Sequence, residues 1–223
     1  MTTLRRPPVR RIGQVIQNAR LFNLKQWRDA MITIDSLPQN IAQLFRLLTE
    51  RHIDYVLVGG VALLSYIEGR NTEDIDLIIA SPALDRLPEV RVLSQDNDFV
   101  RGQFEQLQLD LLLTRNPLFE QVRRQHTTRQ PFAEQTIPTA TVEGLLLLKF
   151  YALPSLYRQG SFARVSLYEN DIAMLVQAYR PDLEPLFQEL TPYLEAGDLT
   201  AVREIAAEIQ QRIDRFGKGL SRS

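Results

Sequence analysis

From Ser36 the apolar residues Leu37, Ile41, Leu44, Phe45 and Leu48 recur at helical spacing, with Ser36 placed to cap and Pro38 in the first turn, which predicts a helix ending near Arg51-His52. Tyr55 to Val58 is an unbroken apolar run and reads as a short buried strand. Gly59-Gly60 turns it into a short helix, and a polar turn through Arg70-Asn71-Thr72-Glu73 leads to a second strand reaching Ile79. Ser81-Pro82 ends that strand, and an irregular segment follows through Asp98. Val100 to Gln103 and Glu105 to Leu113 then read as a hairpin or two adjacent strands; in the second, Leu107, Leu109 and Leu111 alternate with Gln106, Gln108 and Asp110. Residues 114–138 form a polar, basic passage with a helix from Pro117 to His126. Helices dominate the rest: TVEGLLLLKFYAL with Thr141 as cap and Pro154 past its end, a helix from Glu169 burying Ile172, Leu175, Val176 and Tyr179, and two more over Leu183 to Leu194 and Asp198 to Phe216.

This succession predicts an α/β (α+β) chain in three parts: a basic arm over 1–35, a sheet-containing core over 36–138 and a helical region over 139–223. A length of 223 residues with 44% hydrophobic residues is enough for a sizeable core. No apolar run approaches the ~20 residues needed to span a bilayer, so no membrane partner is expected. Cysteine is absent, which excludes disulfides, thiolate metal sites and cysteine nucleophiles and is in keeping with a reducing, cytoplasmic setting. The net charge of −1 gives no overall basis for nucleic-acid binding. The first 28 residues nevertheless hold seven Lys or Arg and no acid, open to three readings: an arm on nucleic acid, a targeting leader or a solvated tail.

The candidate chemistry lies in YVLVGGVALLSYIEGRNTEDIDLII. Asp74 and Asp76 interrupt an otherwise apolar strand, and an unpartnered buried anion costs several kcal/mol. Residues i and i+2 of a strand share a face about 6.5 Å apart, so both carboxylates converge on one place. A divalent cation is the natural occupant. Gly59-Gly60 removes the Cβ atoms that would keep a phosphate away, although a Gly-Gly turn alone is weak evidence. Asp110 falls on the polar face of a following strand, where it either joins the first two acids or marks the solvent side. Lys149, in an otherwise apolar helix, either snorkels to the surface or meets an anion. Arg70 either touches a phosphate or caps the turn, and Arg115, Arg123, Arg124 and Arg129 line either a groove or a solvated face.

Gly59-Gly60 followed by Asp74-Ile75-Asp76 resembles the signature of the DNA polymerase β-type nucleotidyltransferase superfamily. VGGVALLSYIEGRNTEDIDLII is closest in wording to the AbiEii-like and MenA-type toxin nucleotidyltransferases. The resemblance covers about residues 40–180 and departs from the pattern at Val61, where relatives often carry Ser or Thr. It implies a small mixed-sheet core and transfer of a nucleoside monophosphate from an NTP such as ATP, with Mg²⁺ or Mn²⁺ held by Asp74, Asp76 and the third acid Asp110. It also implies a lysine facing the phosphates, matched by Lys149, and an aspartate starting a later helix, matched by Asp171 without the usual preceding basic residue. The acceptor hydroxyl would belong to RNA such as tRNA, to protein or to a small molecule, and a toxin would have an antitoxin partner. A catalytically impaired nucleotide-binding pseudoenzyme, acting as a regulatory or interaction module, is the alternative.

Overall fold

Four side chains of the first described helix, Ile41, Leu44, Phe45 and Leu48, are fully buried, the stripe expected of a helix laid on a sheet. A computed structural model describes residues 36–68, 72, 74–132 and 135–217; the basic arm and Arg70 lie outside the described residues. The elements up to Thr141 form one compact unit and those from Val142 a second.

In the first unit, helix α1 (Ser36–Glu50) precedes strand β1 (Tyr55–Val58), the six-residue helix α2 (Gly59–Leu64) and strand β2 (Asp74–Ile79). A 3-10 turn (Ser81–Arg86) leads to β3 (Arg91–Gln95), β4 (Phe99–Phe104) and β5 (Leu107–Leu113), then helix α3 (Pro117–Gln125), β6 (Thr127–Phe132) and β7 (Gln135–Ala140). Among the described residues these strands make one seven-stranded sheet in the order β3-β4-β5-β2-β1-β7-β6. It is mixed: β2 runs parallel to β5 and β1 parallel to β7, while the remaining pairs are antiparallel.

The central strands are those whose sequences are most apolar. All four residues of β1 are buried, as are Leu77, Ile78 and Ile79 of β2, which fits strands with neighbours on both sides and packing on both faces. Phe45 of α1 stacks on Tyr55 at 5.7 Å between centroids and meets Phe132 edge-on at 5.2 Å, fixing the helix over β1 and β6. Burial raises the Tyr55 phenol well above its ordinary range. Asn116 caps α3 by accepting from the Leu118 N–H at 3.1 Å, and Pro117 occupies the first turn, where its missing donor is harmless.

The polar passage expected over 114–138 instead contributes two strands, β6 (Thr127–Phe132) and β7 (Gln135–Ala140). Both contain proline, at 131 and 138, and proline removes a ladder donor; β6 tolerates this as the sheet's edge, and β7 pairs with β1 at Leu57↔Thr139. The segment through Asp98 holds another edge strand, β3, whose five residues are all exposed and so show no alternation.

The second unit is helical: α4 (Val142–Arg158), α5 (Phe162–Tyr179), α6 (Glu184–Leu190) and α7 (Ala196–Gly217). Leu146, Phe150, Leu153, Ile172, Leu175, Leu190, Val202 and Ile209 are buried. Pro154 lies inside α4 rather than beyond it; the helix continues to Arg158, with Leu153 and Leu156 buried around the proline. No described helix is long and apolar enough to cross a membrane.

Candidate active site

Strand β2 alternates as the sequence requires, with Ile75 and Leu77 buried and Asp74 and Asp76 half-buried on the other face. Its parallel neighbour β5 does the same: Leu107, Leu109, Leu111 and Leu113 are buried, while Gln108, Asp110 and Leu112 face the other way. The register aligns Asp74 with Gln108 and Asp76 with Asp110. The three acids therefore lie on one face of two adjacent strands, the middle pair side by side.

The glycine corner meets this face from β1, whose last residue, Val58, is aligned with Asp76. Gly59 has φ +61°, in the left-handed region that favours glycine, and a Cβ there would fall 1.9 Å from Asp76 Oδ2. Gly60 donates its N–H to the same oxygen at 3.3 Å. The two glycines are thus the opening turn of α2, and the close approach they permit is first of all that of the Asp76 carboxylate.

Asp110 has a second neighbour that the sequence reading did not single out. Strands β4 and β5 form a hairpin with Phe104 opposite Leu107, which puts Arg101 opposite Asp110. Arg101 donates Nε–H to Oδ1 and Nη2–H to Oδ2, each at 2.9 Å, a bidentate pair. The guanidinium pKa is raised, first by this hydrogen-bonded pairing with Asp110 and then also by the charges of Asp74 and Asp76. Arg101 and Asp110 are the fourth residues on either side of the Glu105-Gln106 turn.

Among the described residues, no set of three or more His, Cys, Asp or Glu side chains is gathered to hold a metal ion. Asp110 is paired with Arg101 instead of being drawn with Asp74 and Asp76 into one three-acid set. The donors on β2 remain suitable for a hard cation: two carboxylates on one face match the way Mg²⁺ is commonly bound, by one or two protein carboxylates with phosphate and water oxygens completing the shell.

Lys149 and Asp171 belong to the second unit, where they meet each other. Lys149 donates to Asp171 Oδ2 at 2.6 Å, its Nζ lies 4.2 Å from the centroid of the Tyr168 ring, and the two side chains are 6% and 0% exposed. Of the two outcomes open for Lys149, it meets an anion and does not snorkel. The arginines of 114–129 are largely met by local partners: Arg123 by Glu120 and Asp54, Arg124 by Glu120, and Arg115 by the Ser81 hydroxyl.

The first of the similar solved structures is an antigenic nucleotidyltransferase-like protein from Paracoccidioides brasiliensis, with a TM-score of 0.54 at 21% identity over 81% of this chain and 90% of that one. The chain has a nucleotidyltransferase-like fold. The antibiotic-resistance factor ANT(2'')-Ia also matches, in its solution structure (TM-score 0.44, 13% identity, 84% of this chain and 98% of that one). Its complex with adenylyl-2''-tobramycin matches at TM-score 0.46 and 13% identity, over 79% of this chain and 98% of that one. No protein-family model and no curated protein matches the chain. Within this nucleotidyltransferase-like fold, the acids predicted from the sequence occupy the β2–β5 face and the predicted lysine and aspartate pair in the helical unit.

Proposed function

We propose that this protein transfers a nucleoside monophosphate from an NTP to an acceptor hydroxyl, using the face formed by β2, β5 and the Gly59-Gly60 corner. The observation that carries the reading is the side-by-side register of Asp76 and Asp110 next to a left-handed glycine whose missing Cβ makes room for Asp76.

In this reading Asp74 and Asp76 hold Mg²⁺ or Mn²⁺, which when bound supplies positive charge for the triphosphate oxygens. Gly60 orients Asp76 through its N–H. Asp110 accepts the proton of the acceptor hydroxyl as that oxygen bonds to the α-phosphorus and the bond to the leaving pyrophosphate breaks. The protein's contribution is mainly alignment and charge compensation. The acceptor is RNA such as tRNA, a protein or a small molecule; growth arrest on expression, relieved by a co-expressed antitoxin, would identify the toxin form of this chemistry.

One observation favours the second reading, a nucleotide-binding pseudoenzyme: Asp110 is held at both oxygens by Arg101. The deciding experiment is incubation of the full chain with each α-labelled NTP, Mg²⁺ or Mn²⁺, and separate RNA, protein and small-molecule acceptor pools. Label entering one pool supports transfer and names the acceptor class. Metal-dependent NTP binding with no labelled product supports the pseudoenzyme.

A further inference from the structure

Arg101 and Asp110 differ in their freedom to move. The arginine side chain is 46% exposed and the aspartate 19%, so the guanidinium lies on the open side of the pair and can let go without disturbing buried packing. Pairs this open to solvent are weakly held. The guanidinium fork that spans Oδ1 and Oδ2 matches two oxygens of a phosphate equally well. The acids of β2 place it in a negative field, which a bound cation would partly cancel.

Building on the nucleotidyl-transfer reading, we propose that Arg101 is a nucleotide-positioning residue that holds Asp110 in the nucleotide-free protein and passes to the oxygens of an incoming triphosphate, releasing Asp110 to the acceptor. A triphosphate carries more negative charge than one carboxylate, so the exchange is favoured once the nucleotide arrives. It also orders the events. Asp110 is covered at both oxygens until the nucleotide has drawn Arg101 away, so the acceptor finds its base only after the triphosphate is seated. Premature engagement of an acceptor with an empty site is avoided by the same contact.

The test is calorimetric titration of the full chain with α,β-methylene triphosphate analogues in Mn²⁺, comparing the unaltered protein with Arg101→Gln, Arg101→Lys, Asp110→Asn and the Arg101→Gln/Asp110→Asn double variant. Far-ultraviolet circular dichroism confirms that each is folded. Loss of the arginine should weaken the analogue about tenfold, the effect of one charge-assisted hydrogen bond, with Arg101→Lys recovering part of the loss. Asp110→Asn should tighten it by freeing the arginine, and that gain should vanish in the double variant. Arg101→Gln binding as tightly as the unaltered chain, or an Asp110→Asn gain that persists without Arg101, overturns the switch and leaves the transfer reading standing. Failure of the unaltered chain to bind any triphosphate overturns both.

Discussion

A Cβ added to Gly59 would sit 1.9 Å from Oδ2 of Asp76, so the backbone of one strand end and the carboxylate of the next strand occupy space that any other residue at 59 would take. This contact explains why the glycine precedes the acid pair. It also links the local chain conformation to the position of the metal-ligating oxygen proposed above.

Gly59→Ala therefore meets two penalties. The φ of +61° costs about 1–2 kcal/mol for a residue with a Cβ, and Asp76 must also move aside. Urea denaturation should show a lower midpoint with an unchanged slope, and Mn²⁺-dependent binding of triphosphate should weaken. A variant with undiminished binding would show that Asp76 is not held by this corner.

The buried Lys149–Asp171 pair gives a second expectation. Lys149→Met leaves Asp171 buried without its cation and should destabilise the protein by roughly 3–5 kcal/mol, whereas Lys149→Met with Asp171→Leu should recover most of that loss. A double variant no more stable than Lys149→Met would show that the unpaired Asp171 charge is not the source of the loss.

Arg51 joins the end of α1 to the segment after β2 by donating to both Glu89 oxygens, at 2.7 and 2.5 Å. The Arg51 hydrogen bonds, foremost, hold the Glu89 carboxyl at about 2, below its ordinary 4.5. A lowered folded-state pKa gives stability that is present above about pH 4.5 and is lost as the pH falls toward 2. The stability difference between the unaltered protein and Glu89→Gln, read from urea midpoints at low salt, should shrink over that window. Because the pair is exposed, added salt should shrink it at neutral pH as well. A difference independent of both would assign the effect to packing.

What the sequence disclosed depended on whether a residue type stood out against its local pattern. Asp74 and Asp76 are conspicuous because β2 is otherwise apolar, and Asp110 because Leu107, Leu109 and Leu111 alternate around it; the strand pairing then follows from burying those leucines on one face. The α1 stripe was readable for the same reason. Strands β6 and β7 were not, since Pro131 and Pro138 carry the signature of a strand breaker and the structure accommodates them by placing β6 at an edge and joining β7 to β1 through few residues. Strand β3 offered no periodicity because both of its faces are exposed. Arg101 was hidden for a different reason: a charged residue on a strand is unremarkable until the hairpin register brings it opposite Asp110. Lys149 was legible as a charge in an apolar helix and Asp171 only through the family resemblance, which expected it at a helix start where the structure has it inside α5; their meeting depends on how α4 packs on α5, which no local pattern encodes.

The most direct test of the account is transfer of α-label from NTP to acceptor by the unaltered chain, Asp74→Ala and Asp76→Ala, measured side by side in Mg²⁺ or Mn²⁺. The account predicts labelled product from the unaltered chain and a fall of at least about a hundredfold in each variant, the scale expected when preorganised charge stabilisation is removed. Variants that label the acceptor as fast as the unaltered chain would contradict it.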